Sequence, residues 1–190
     1  MMDHLSIKQL ARGAALAALG LWSTALLADE GGFMDLFARH KEVEPVRSAL
    51  YQENCGECHF AYQPGLLPAR SWRALLAPDA LADHFGENAE LDETDRQAIL
   101  DFLVAHAADD SRYKRSIKIR RSIPAGETPL RITDVPYIRH KHREIPAAAI
   151  RGNDKVRTLS NCDACHRQAA QGIYDDDTVL IPGQKRRRWW

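Results

Sequence analysis

The sequence predicts a mainly α-helical fold, and three observations point to it. Two five-residue stretches, Cys55-Gly-Glu-Cys58-His59 and Cys162-Asp-Ala-Cys165-His166, repeat the pattern C-x-x-C-H. That spacing suits a helical turn, because residues three and four apart share a face. The run from Asp92 to His106 places Ile99, Phe102, Leu103 and His106 along one stripe, and Trp72, Leu75 and Leu76 do the same on a smaller scale.

The repeated pattern is the signature of covalent haem attachment. Two thiols and an imidazole on one helical turn can meet a single porphyrin. Cys55 and Cys58, and likewise Cys162 and Cys165, would bond haem vinyl groups, with His59 and His166 as proximal iron ligands. The two motifs use all four cysteines of the chain, so two covalent haem c groups are expected. A four-thiolate zinc site, a redox dithiol and ordinary disulfides are the competing uses of paired cysteines. None of them requires a histidine directly after the second cysteine, and here it follows both.

At 190 residues the chain suits one domain or two small ones, and its formal charge is zero. That balance gives no reason to expect nucleic-acid binding. Lys8 and Arg12 precede an uncharged, mostly apolar run from Gly13 to Leu27, the pattern of a secretory signal. The run is short for a membrane span, so residues 1–28 are expected to be cleaved and no stable membrane insertion to remain. Their loss removes Lys8, Arg12 and Asp3 and takes the net charge to −1. Export to the periplasm agrees with haem attachment, which occurs outside the bacterial cytoplasm.

In chain order, Phe33, Leu36 and Phe37 could cover an apolar surface. Pro45 then suits a first helical position, and Val46, Ala49 and Leu50 continue at helical spacing into Cys55. Tyr62 to Pro68 reads as a proline- and glycine-punctuated loop. Ser71 is the expected cap of the next helix and Pro78 its end. Asp92 caps the long helix, with acidic residues in its first turn as the helix dipole favours.

Composition shifts near Asp109, where Arg112, Lys114, Arg115, Lys118, Arg120 and Arg121 form a basic run. A solvated linker or edge strand is the expectation for it, with pairing to haem propionates or an acidic partner as the alternative. The domain boundary is placed here: residues 29–111 and 112–184 form two haem domains, and 185–190 a flexible tail. Residues 129–146, broken by Pro129, Pro136 and Pro146, should be extended or irregular. A short helix from about Asp154 should lead into the second motif.

The sixth iron ligand decides between electron transfer and small-molecule chemistry. Met1, Met2 and Met34 are the only methionines, all upstream of both motifs, which leaves His40, His84, His106, His140 and His142. His84 is expected at the first haem, because its loop can bend over the distal face; His106 lies in a helical stripe. His140 and His142 are separated by one residue, and only one of them is expected to ligate. Spacing leaves them nearly balanced, with the expectation falling on His142. Imidazole in place of thioether would put both haems at low potential, with no open position for carbon monoxide. Tyr62, three residues past His59, should lie at the haem edge, either packed there or filling the gap between the haems.

Beyond the motifs, the stretches Glu53 to Arg73, His84-Phe-Gly-Glu-Asn-Ala89, Leu130-Arg-Ile-Thr133, Lys141-His-Arg-Glu-Ile145 and Asn161 to His166 resemble the bacterial dihaem cytochrome c (DHC) family. The resemblance covers nearly all of residues 48–182. It implies an N-terminal domain similar to class I cytochromes c, a smaller and less regular C-terminal haem domain, and bis-histidine irons; His84 and His142 fall inside matched stretches. The implied role is electron carriage, not catalysis, from a membrane cytochrome to an oxygen-binding monohaem cytochrome of the sphaeroides haem protein type. A dihaem subunit of a nitrate reductase and a small dihaem peroxidase are the alternatives.

Overall fold

The computed structural model describes residues 40–184, which fall within one compact unit. The expected signal segment, Phe33 to Phe37, and the Lys185 to Trp190 tail lie outside the described residues. Within them the protein is helical, with no strand beyond two isolated bridges, His84 with Glu87 and His166 with Val179.

The first helix, α1, spans Ala49–Cys55, and the Ser48 side chain caps it by accepting from the Tyr51 N–H. It begins later than Pro45, because Ser48 offers an N-cap oxygen and a proline does not. Cys55 ends it, so the first motif does close a short helix. Pro64–Leu66 forms a single 3-10 turn, and Trp72 Nε1 donates to the Pro64 carbonyl at 2.8 Å. Helix α2 runs over Ala69–Leu75 from Pro68, not from Ser71. Ser71 is wholly buried inside the helix, its hydroxyl without a partner, while Asp109 serves the helix start by accepting from the Ala69 N–H at 2.6 Å. Pro78 opens a new helix, α3 (Pro78–Ala82), where its fixed φ suits the first turn.

Helix α4, Glu93–Ala105, is the longest among the described residues and follows the expectation closely. Asp92 accepts from the Asp95 N–H at 3.0 Å, and Ile99 and Leu103 are fully buried. They pack with Tyr51, Leu66, Leu67, Trp72 and Leu75 in the larger of two hydrophobic clusters. Each such side chain contributes roughly 1.5–3 kcal/mol through burial.

The basic run is neither linker nor edge strand: Lys114–Ser122 is helix α5. Arg115, Ser116 and Ile119 form its buried face, the remaining cations facing outward, which is why composition alone reads as solvated. Gly65 is needed where α5 crosses the 3-10 turn, since a Cβ there would stand 2.5 Å from the Ser116 hydroxyl. Residues 129–146 are also more regular than expected. A 3-10 turn over Ile132–Asp134 leads to α6, Pro136–His142, with Pro136 at the helix start. Pro146 likewise precedes α7, Ala147–Arg151. Two of the three prolines thus mark helix entries rather than extended chain, and only Pro129 lies in irregular backbone.

No helix starts at Asp154. Turns follow α7, and the next helix is the single turn α8, Cys162–Cys165. A second, smaller cluster of Ala149, Ile150, Val156 and Ile181 packs against Ala164 and Cys165 of that turn. The chain's early residues reach into this late region: the Glu42 and Val43 N–H groups both donate to the Gly172 carbonyl, at 2.8 and 3.1 Å. Gly172 has φ +75°, and any Cβ there would collide with the Val43 carbonyl.

Candidate functional site

Each C-x-x-C-H histidine faces a second imidazole. His59 donates from Nδ1 to the Phe60 carbonyl at 2.9 Å, which leaves Nε2 free as a ligand atom. Opposite it stands His84, ring centres 6.4 Å apart and planes 26° from parallel. His84 is held in a tight turn. Its N–H donates to the Glu87 carbonyl at 2.7 Å, and Gly86 N–H donates to the Asp83 carboxylate at 3.0 Å. Phe85 in that turn has φ +60°, a conformation costing an aromatic residue about 1–3 kcal/mol. The Arg131 guanidinium lies 3.8 Å over its ring.

His142, the last residue of α6, donates from Nδ1 to the Ile138 carbonyl at 2.8 Å, again leaving Nε2. It faces His166 with ring centres 6.0 Å apart and planes crossed at 70°. This pair opens into a cavity of about 610 Å³ whose lining includes Cys162, Cys165, His142 and His166. A hollow of about 500 Å³ adjoins the first motif, lined by Cys58 and His59 but not by His84.

The spacing fits iron between each pair. A metal held about 2 Å from two imidazole nitrogens separates the ring centres by roughly 6 Å. The charges fit as well. Burial above all, then neighbouring His142 and Arg115, pushes His166 down to about 3, and burial first also lowers His84 and His142. All three are therefore neutral at physiological pH, as ligation requires. His166 Nδ1 is buried without a hydrogen-bond partner, an orphan of the kind that marks a missing group.

No disulfide joins the four cysteines. Burial pushes Cys55 up to about 11 and Cys162 up to about 12, opposite to the depressed values of redox dithiols. Among the described residues no three His, Cys, Asp or Glu side chains gather as a metal cluster.

The rival histidines make other contacts, although His140 also lines the second cavity. His106 contacts Glu44 at 3.1 Å and the Phe102 ring at 4.8 Å. His140 is exposed and lies 2.8 Å from the Arg143 guanidinium. Both it and His142 are on a helix, not in extended chain. Two residues apart on a helix project to different sides, and His142 is the one that meets His166. Tyr62 stacks on His59, ring centres 4.9 Å apart and planes 24° from parallel, and its hydroxyl donates to the Ser160 carbonyl at 2.7 Å. It thus touches the first motif while bonding to chain two residues before the second. Burial pushes its hydroxyl up to about 12.

Three residues at the second site carry no recognisable signal in sequence. Gln63 is wholly buried and accepts from the Tyr174 hydroxyl at 2.5 Å, and the Tyr174 ring lies 5.2 Å from that of His166. Arg115 reaches the same cavity from α5. Only the fold separates it from the other cations of its run.

The family model for dihaem cytochrome c matches residues 51–174. Among solved structures, a diheme cytochrome c of Rhodobacter sphaeroides is 41% identical with a TM-score of 0.61, covering 70% of this chain and 100% of that one. The diheme cytochrome c of Shewanella baltica is 40% identical with a TM-score of 0.59, covering 74% of this chain and 96% of its own. No match is found among curated protein sequences. On the family match and these two relatives, the chain belongs to the dihaem cytochrome c family and carries two covalently attached haems.

Proposed function

We propose that the protein carries electrons through two haems whose irons are each held by a pair of imidazoles, His59 with His84 and His166 with His142. The observation that carries this reading is the facing of two imidazole pairs at 6.4 and 6.0 Å, one member of each directly following a haem-attachment cysteine. Haem supplies one-electron chemistry when bound. The chain's part would be to bond it through Cys55, Cys58, Cys162 and Cys165 and to supply and orient the imidazoles of His59, His84, His142 and His166. The Phe60 and Ile138 carbonyls orient His59 and His142 by accepting from Nδ1, which also raises ligand basicity. With two imidazoles on each iron, substrate would have no access to it, and the protein would act as a carrier rather than an enzyme.

The same reading assigns the first haem to residues 29–111 and the second to 112–184, with Tyr62 packed at the first haem's edge. It places the protein in the periplasm after loss of residues 1–28. No helix among the described residues is long and apolar enough to cross a membrane, which is compatible with that location. Donor and acceptor in this reading are a membrane cytochrome and an oxygen-binding monohaem cytochrome.

A reductive titration followed by optical and EPR spectra tests it. Two low-spin haems at low potential, and ferrous protein that fails to bind carbon monoxide at neutral pH, are expected. A high-spin signal, ready carbon monoxide binding or turnover of peroxide would overturn it.

A further inference from the structure

The cavity of His142 and His166 holds a buried cation for which axial ligation has no use. The Arg115 side chain is only 9% exposed. One terminal nitrogen donates to the Glu42 carboxylate at 2.5 Å and to the Tyr174 carbonyl at 2.9 Å; the other donates to the Tyr137 hydroxyl at 3.3 Å. Its Nε is buried with no partner. A buried guanidinium donor left unpaired marks a missing acceptor, because leaving it so is costly. The surroundings indicate the acceptor's charge. Arg139, Lys141 and Arg143 also line this cavity, against the one carboxylate Asp176, which Lys141 already holds at 2.9 Å. A haem bonded to Cys162 and Cys165 brings two carboxylates into this space.

We propose that Arg115 binds a carboxylate side chain of the second haem and that its charge raises that haem's reduction potential. The inference rests on His142 and His166 holding that haem's iron. Reduction adds one electron to the haem, so a fixed cation nearby favours the reduced form. The Arg115 guanidinium stands 5.7 Å over the Tyr174 ring, which is itself 5.2 Å from the His166 ring. Both side chains of that path are buried, so little water lies between to screen the charge. Glu42 opposes it from the same ion pair, so the two residues should move the potential in opposite directions. The cation at the first site, Arg131, is exposed and therefore screened.

The test is a spectroelectrochemical titration of the dihaem protein and its R115Q, R115K and E42Q variants, with haem counted in each by pyridine haemochrome. R115Q should lower one of the two redox waves by a tenfold change in the reduction equilibrium, about 59 mV for one electron, and leave the other in place. E42Q should raise that same wave, and R115K should bring it back towards wild type. Loosened packing would displace both variants in one direction. Should R115Q fail to accumulate, the double variant R115Q/E42Q replaces it, with its wave expected below that of E42Q alone. Unmoved waves, or R115Q and E42Q shifting alike, would overturn the proposal. His142→Met identifies the second wave by raising it. If that substitution moves neither wave, the ligation scheme has failed instead.

Discussion

The two sites share a motif and differ in nearly everything around it. At the first, His84 comes from a strained exposed turn, and its ring lies 26° from parallel with that of His59. At the second, His142 ends a helix, its ring is crossed at 70° to His166, and a buried arginine stands nearby. C-x-x-C-H therefore specifies attachment and one ligand, while the fold sets ring orientation, charge and access. On the proposed ligation, one chain would hold two haems of distinct electronic character without changing a ligand type.

Ligand removal should produce the largest effect. His84→Ala and His142→Ala should each create one carbon monoxide site per protein in the ferrous state, whereas His106→Ala and His140→Ala should create none; difference spectra read all four. If H142A binds no carbon monoxide, the second site is not built like the first.

Packing should show the next effect. Leu103, fully buried in the larger cluster, should lose about 2–5 kcal/mol on truncation to alanine. Ile150→Ala in the smaller cluster should cost less, since its site is 8% exposed and can collapse more easily. Denaturant midpoints of the two variants rank the clusters. Removing the α4 cap by Asp92→Ala should cost about 1 kcal/mol, read in the same way.

Tyr62, the residue between the motifs, should give the smallest effect. Tyr62→Phe forfeits the bond to Ser160, about 1 kcal/mol. Its pH signature is more specific. A hydroxyl held at about 12 in the fold, against an ordinary 10, stabilises the native state fully below pH 10. That contribution is lost as pH rises from 10 towards 12, and the phenylalanine variant should lack the loss.

The cysteine motifs, the Asp92 cap and the Ile99–Leu103 stripe are legible in sequence because local chemistry determines them. The basic run is not. Five of its six cations do face outward, and nothing local distinguishes Arg115, whose partner Glu42 lies 73 positions earlier. Ser71 has the composition of a cap, but Pro68 and the distant Asp109 carboxylate start the helix instead. Pro136 and Pro146 read as breakers, yet each stands where a helix begins. A proline ends one helix and opens another by the same fixed φ, so only the residues on its C-terminal side separate the two roles. For His142 the expectation of extended chain gives way to a helix, and it is the helix that separates its side chain from that of His140, since residues two apart share a face in extended chain.

The bonds from Glu42 and Val43 to the Gly172 carbonyl bear on the order of events during maturation. An amino-terminal segment whose anchor is synthesised some 130 positions later cannot settle while the chain is still emerging. Truncation before Gly172 should release residues 42 and 43 as well, opening that segment to proteases.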